Sequence, residues 1–157
     1  MKVAFTVNGV ERQADTPLGA SLMDVLRDLG LTSVKNGCDN GDCGSCAVLL
    51  NGRAVNACLV FAARCEGTEI GTLEGMSSEG ALHALQTSML ETGAVQCGFC
   101  TPGIVMTAAE LLDHTPSPTD RQIDEAMAGN FCRCTGYTKP REAIRAAAEM
   151  LKEASDD

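Results

Sequence analysis

The sequence predicts an α+β chain in two units, a β-rich unit over residues 1–75 and an all-α unit of four helices over 76–157. Three observations predict it. The first half alternates apolar and polar residues around two Asn-Gly dipeptides. The second half shows helical spacing and capping residues but no strand pattern. Eight of the nine cysteines fall into two sets of four, one set in each half.

In chain order, Val3 to Val7 and Val10 to Ala14 flank Asn8-Gly9 and read as a hairpin. Ser21 to Leu29 places Leu22, Val25, Leu26 and Leu29 on one helical face; Ser21 or Thr16 caps it and Gly30 stops it. Lys35 to Ser45 carries Gly37, Gly41 and Gly44 among three cysteines. Such a loop can wrap an inorganic group, because glycines accept positive φ and let amides face sulfur. Ala47 to Leu50, Asn51-Gly52 and Arg53 to Cys58 read as a second hairpin, and Ile70 to Leu73 as a last strand.

The composition shifts near Gly75-Met76. Ala81 to Thr92 reads as a helix with Leu82, Leu85, Met89 and Leu90 on its apolar face, closed by Gly93. Thr101-Pro102 opens the next, with Ile104, Val105, Ala108, Leu111 and Leu112 inward. After the turn at Thr115 to Pro118, Thr119 and Gln122 form a capping box for a third helix, which Gly129 ends. Pro140 to Glu153 is the fourth, and the short connections suggest a small bundle.

Cys38, Cys43, Cys46 and Cys58 follow C-x4-C-x2-C with a distant fourth Cys, the spacing of plant-type [2Fe–2S] ferredoxins; the first unit is thus compatible with a ferredoxin-like β-grasp. Structural zinc fits this spacing poorly, since zinc knuckles pair their cysteines more closely. Cys97, Cys100, Cys132 and Cys134 form a second set of two close pairs, for which a second iron–sulfur cluster and zinc are both open readings. Cys97 and Cys100 precede one helix while Cys132 and Cys134 follow another. The expectation is that two helix ends hold one group, with Cys100 favoured as thiolate by the helix dipole and Arg133 facing away.

The remaining residues exclude more than they add. A net charge of −9 argues against nucleic acid, and no run approaches the roughly 18 apolar residues of a membrane span. No signal peptide is visible, so a cytoplasmic setting with reduced thiols is expected, and Cys65 reads as a buried or incidental thiol. His83 and His114 sit in predicted helices without ligand spacing; Met106, Met127 and Met150 read as core filling. No Ser-His-Asp set, phosphate loop or dinucleotide fingerprint is present. The chain carries redox centres without substrate chemistry of its own.

Gly37-Cys38, Cys43-Gly44-Ser45-Cys46, Cys58, Gln96-Cys97-Gly98-Phe99-Cys100-Thr101-Pro102-Gly103 and Asn130-Phe131-Cys132-Arg133-Cys134-Thr135-Gly136-Tyr137 closely resemble the small iron–sulfur subunit of the bacterial molybdenum hydroxylases, the xanthine dehydrogenase, aldehyde oxidoreductase and carbon monoxide dehydrogenase family. The resemblance spans about Lys2 to Leu151; Phe131 stands where Leu is common. It implies one [2Fe–2S] cluster per unit. It implies a large partner with molybdopterin, as the cytosine dinucleotide, a medium partner with FAD, and a dimer of heterotrimers. It implies electron flow from molybdopterin through both clusters to FAD. Gln96 and Cys134 match the positions that approach the pterin, which makes the second set proximal and the Gly37–Ser45 loop distal, facing the FAD partner. A free-standing two-cluster ferredoxin-like carrier and a zinc-stapled interaction module are the rival readings.

Overall fold

The computed structural model describes residues 1–78 and 80–156. The first half is a mixed five-stranded sheet with one helix against it. Its strands are β1 (Lys2–Val7), β2 (Val10–Asp15), β3 (Ala47–Leu50), β4 (Arg53–Asn56) and β5 (Glu69–Gly71), in the order β2-β1-β5-β3-β4. β1 pairs antiparallel with β2 and parallel with β5, while β3 runs antiparallel to both β4 and β5. Helix α1 (Leu22–Asp28) is capped by the Ser21 hydroxyl, which accepts from the Asp24 amide at 3.1 Å. Val3, Phe5 and Val7 point inward from alternate positions of β1 and meet Leu22, Leu26, Val48 and Ile70 in one core. Cys65 lies in that core, fully buried as expected of an inert thiol.

Both Asn-Gly turns have the two positive φ values that a tight hairpin demands: Asn8 at 50° and Gly9 at 76°, Asn51 at 49° and Gly52 at 78°. The Asn8 side chain also accepts from the Thr72 amide at 2.8 Å and donates to the Thr72 hydroxyl at 2.9 Å. The first turn therefore fastens the segment that leads out of the sheet. Asn51 does the same for β5 by accepting from the Glu69 amide at 2.9 Å.

The second half contains α2 (Ala84–Glu91), α3 (Thr101–His114), α4 (Asp120–Met127) and α5 (Thr138–Asp156). α2 packs on α5, α3 and α4 lie side by side, and α4 also touches α5. Their shared core includes Leu85, Met89, Ile104, Val105, Ile123, Ile144 and Ala147. The Thr119–Gln122 capping box forms as the spacing predicts. α3 also packs across β3 and β4, and this joins the two halves. An exposed Arg53–Glu110 ion pair at 2.7 Å borders that contact and adds little by itself.

Several element boundaries differ from expectation. The last strand, β5, ends at Gly71, and Leu73 instead opens the 3-10 turn Leu73–Gly75. α2 starts at Ala84, because His83 is its N-cap: Nδ1 accepts from the Leu85 amide at 3.2 Å, and Gln86 accepts from the His83 amide at 2.9 Å. Leu82 consequently precedes the helix, and both Leu82 and Leu90 are exposed, whereas Leu85 and Met89 are buried. β4 ends at Asn56 rather than running to Cys58. Ala47 pairs with Asn56 at the end of the ladder, and the Asn56 amide turns to donate to the Gly41 carbonyl at 2.9 Å. α5 begins two residues earlier than expected, at Thr138, with Arg141 donating to the Tyr137 carbonyl at 3.1 Å.

The His83 cap makes part of the stability pH-dependent. Burial holds the imidazole below its ordinary range, and only the neutral ring can accept from Leu85. The folded pKa lies below the unfolded one. The stabilisation is therefore complete above the ordinary imidazole pKa of 6.5 and is lost as pH falls through the depressed folded value. His83→Asn, which caps without titrating, should lose less thermal stability than the native chain between about pH 7.5 and about pH 5. The gap at the acid end should approach the ~1 kcal/mol of a typical cap. Parallel melting curves of the two proteins across that range check it.

Candidate metal centres

The first cysteine loop leaves the α1 side of the sheet at Val34 and returns through Ser45, whose carbonyl accepts from the Lys35 amide at 3.1 Å. Asp39, Gly41 and Gly44 all sit at positive φ, 58°, 86° and 66°, so the loop curls back with its amides turned inward. The Cys43 amide donates to Cys38 Sγ at 3.4 Å. Amides of Asn40 first, then Cys43, bring the Cys38 thiol down to about 7. Cys46 is buried at the start of β3, and burial, with Cys58 beside it, pushes its thiol up to about 12. Cys58 lies in the short 3-10 turn Ala57–Leu59, which follows β4 and is tied to Cys46 by the Ala57 amide donating to the Cys46 carbonyl at 3.2 Å. The loop thus presents Cys38 with Cys43 and Cys46 with Cys58.

The second set forms where α3 begins and where the chain turns from α4 into α5. Cys97 and Cys134 approach with Sγ atoms 3.6 Å apart, both exposed. Cys134 is raised by its contact with Cys97. Cys100 and Cys132 form the inner pair, both buried. Burial would raise the Cys132 thiol, but donors from Thr135 and its neighbours outweigh it and bring Cys132 down to about 7. Cys100 behaves otherwise than its place before α3 suggests. Burial and the adjacent Cys132 push it up to about 12, so desolvation outweighs the helix dipole. Arg133 turns outward as expected, its guanidinium 5.5 Å from the centre of the Phe131 ring.

Tyr137, at φ 67°, secures this turn: its hydroxyl accepts from the Cys132 amide at 2.8 Å and donates to the Asn130 carbonyl at 3.0 Å. The sequence assigns Tyr137 no role beyond its place in the Asn130–Tyr137 motif. A lone Tyr beside a Gly in a chain with one tyrosine is the signal that could have prompted one. Gln96 is exposed, and its amide makes no side-chain hydrogen bond among the described residues.

Each set is therefore two pairs rather than four thiols around a point. Tetrahedral zinc needs four sulfurs about 2.3 Å from one centre. A [2Fe–2S] group takes two thiolates on each of its two irons, which is what paired cysteines offer. The donor chemistry fits as well, since inward amides and hydroxyls stabilise thiolate sulfur.

The comparisons with known proteins agree with this geometry. Residues 5–71 match the 2Fe-2S iron-sulfur cluster binding domain, and residues 72–145 match the [2Fe-2S] binding domain. The nicotinate dehydrogenase small FeS subunit of Eubacterium barkeri is 49% identical over 148 residues, 94% of either chain. The xanthine dehydrogenase iron-sulfur-binding subunit of Escherichia coli O157:H7 is 48% identical over 137 residues, 86% of either chain. Among solved structures, a chain of quinoline 2-oxidoreductase from Pseudomonas putida 86 superposes with a TM-score of 0.94 at 42% identity, covering 98% of this chain and 96% of that one. The aldehyde oxidoreductase from Desulfovibrio desulfuricans ATCC 27774 matches with a TM-score of 0.93 at 40% identity, and the match occupies 97% of this chain but 17% of that longer one.

Fold and paired thiols define a two-domain [2Fe–2S] electron-transfer protein. More particularly, the chain belongs to the small iron–sulfur subunits of the molybdenum hydroxylases.

Fully loaded protein should contain about four irons and about four acid-labile sulfides per chain, with no stoichiometric zinc. Metal and sulfide analysis of the purified complex checks it; half that iron would remove one of the two sets.

Proposed function

We propose that Cys38, Cys43, Cys46 and Cys58 hold one [2Fe–2S] cluster in a unit of residues 1–75, and that Cys97, Cys100, Cys132 and Cys134 hold the other in a unit of residues 76–157. When bound, these groups take up and release electrons one at a time. The chain's own residues supply the thiolates, keep Cys46, Cys100 and Cys132 buried, and fix where the more exposed thiols meet a partner. The chain serves as the electron-transfer subunit of an oxidoreductase complex, and substrate chemistry lies outside it.

The observation that carries the assignment of partners is the exposed edge made by Gln96, Cys97 and Cys134, flanked by Phe99 and Phe131, which are 45% and 56% exposed. Thiolates and aromatic rings left open to water are what a covering subunit would shield. In our reading the large molybdopterin subunit sits there. Gln96 and Cys134 then lie nearest the pterin, and the free Gln96 amide can both donate to and accept from its edge. The first cysteine loop serves the FAD subunit, through its open side at Asn36, Gly37, Asp39, Asn40 and Asp42. In our reading the complete assembly is a dimer of heterotrimers in the cytoplasm; among the described residues no helix is long and apolar enough to cross a membrane.

Gln96→Ala tests the pterin contact. Iron content should stay unchanged, while molybdenum cofactor retention or turnover falls by roughly threefold to tenfold, as expected for one or two lost hydrogen bonds. Unchanged retention and turnover in the assembled variant would return Gln96 to an ordinary surface residue.

Cys43→Ser tests the order of the two centres. With subunit stoichiometry intact, substrate should still reduce molybdenum and the centre held by Cys97, Cys100, Cys132 and Cys134 within one turnover, while flavin reduction slows severely. Flavin reduced at the native rate would refute the series order. Flavin reduction persisting while the helical-domain centre stays oxidised would mean the two assignments are reversed.

A further inference from the structure

Helix α2 carries more apolar surface than its own core uses. Leu85 and Met89 belong to the helical core, but Leu82, which precedes the helix, and Leu90, in its last turn, are 51% and 62% exposed. Leu82, Met89 and Leu90 line one groove with Val95, Pro102 and Val105, about 300 Å³ in volume. Among the described residues that line it, Gln86 and Thr101 are polar and none is charged. Contiguous apolar surface left open to water marks a contact site.

The groove is continuous with the thiol edge. Val95 and Gly98 line it, and Gln96, Cys97 and Phe99, their neighbours in the chain, are exposed. A cation completes the face. Arg121, Arg141 and Arg145 of the helical half each sit against a carboxylate. Arg133 sits against none among the described residues, although the chain has 21 acidic residues to offer. Its guanidinium instead lies 5.5 Å from the centre of the exposed Phe131 ring. The ring steadies the side chain beside Cys134 and leaves its charge free.

We propose that the groove and Arg133 together form the docking face for the large partner subunit. The groove takes apolar side chains of that subunit, and Arg133 takes one of its carboxylates. This rests on the reading that the Gln96 edge meets the large subunit, and it adds what holds the two chains together there.

Two observations favour that occupant. The quinoline 2-oxidoreductase match covers 96% of a separate chain and the aldehyde oxidoreductase match covers 17% of a longer one, yet the fold is shared, at TM-scores of 0.94 and 0.93. A unit that is a chain of its own has no peptide tether and must hold its neighbour by surface alone. Composition is the second observation. Aromatic rings and an arginine around an apolar centre free of Asp, Glu and Lys are what the energetic middle of a protein–protein interface contains. A second copy of this chain in the groove would instead cover the thiol edge and leave an electron donor no approach.

The test uses the assembled complex, with dissociation on dilution followed by native mass spectrometry. Leu82→Ser combined with Leu90→Ser should weaken the hold on the large subunit by about thirtyfold or more, the scale of a hot-spot truncation. Iron, sulfide and retention of the flavin subunit should stay unchanged. If the double variant loses iron, Leu90→Ser alone is read, since Leu90 is the more exposed of the two. Arg133→Glu should slow association roughly tenfold at low salt and little at high salt, and Arg133→Lys should restore most of the rate. Leu151→Ser, an exposed leucine of α5 outside the groove, should leave the hold unchanged. A photo-crosslinker replacing the Phe99 ring reports which chain covers the edge. Crosslinks to the flavin subunit would remove the reading of the edge and the proposal with it. Crosslinks to the large subunit, with native affinity in the leucine variants, overturn the docking face alone. So do crosslinks to a second copy of this chain, or equal weakening by Leu151→Ser.

Discussion

The contact between residues 43–44 and 129–131 is the constraint around which the molecule is arranged: the Phe131 amide donates to the Cys43 carbonyl, the Asn130 side chain donates to the Gly44 carbonyl, and a Cβ on Gly44 or Gly103 would collide with the opposing backbone. Its consequences reach outward. Gly103 belongs to the first turn of α3, so the helix N-terminus is brought up to the first cysteine loop, and the rest of α3 then lies along β3 and β4. The two halves keep separate apolar cores, one around Leu22 and Ile70 and one around Leu85 and Ile144. What crosses between them near the thiols is mostly polar backbone. A docking of that kind is specific in register, since hydrogen bonds fix position where apolar faces can slide.

The thiols differ in how readily they ionise. Burial raises Cys46 and Cys100 to about 12, and in each pair the neighbour adds to the cost of ionising. Amide and hydroxyl donors favour the anion at Cys38 and Cys132, both lowered to about 7. Each set therefore contains one thiol prepared for ionisation and one that burial holds protonated. A cation bound between them resolves the conflict, and its binding free energy then becomes part of the folding free energy. The arrangement also explains why these loops contain so few large apolar side chains. Their cohesion comes from hydrogen bonds, as with Asn56 on Gly41 and Tyr137 on Cys132 and Asn130.

What the sequence revealed and what it hid divide along a physical line. Local chemistry was legible: the Asn-Gly turns, the Thr119 capping box, the cysteine spacing and the buried Cys65 each follow from residues close in sequence. Long-range partners were not. Asn8 was read as a turn residue, yet it also clamps Thr72, 64 positions away. Asn130 acts on Gly44 across 86 positions, and nothing local marks it. β4 stops short of Cys58 because Asn56 is taken by Gly41, again a contact from outside the strand. The expectation for Cys100 failed for a different reason. The helix dipole is a local property and was read correctly, but burial depends on the packed structure and outweighed it. The approach of Gln96 and Cys134 to a pterin came from resemblance alone.

Exposure gives the molecule a direction. In the helical half, Cys97 and Cys134 are open and Cys100 and Cys132 closed; in the sheet half, Cys46 is closed while Cys38, Cys43 and Cys58 are partly open. Cys46 packs into the core of the sheet half, Cys100 and Cys132 into the core of the helical half, and the Cys43 carbonyl accepts from Phe131 across the junction. An electron carrier that only shuttled in solution would need a single accessible edge. Here open or partly open thiols occur in both halves, which fits our proposal of a partner on each side. Two domains suit that purpose better than one. Each keeps its own apolar core, and the spacing between the two cysteine sets is then fixed once, by a docking contact in which Asn130 and Phe131 donate to the Gly44 and Cys43 carbonyls.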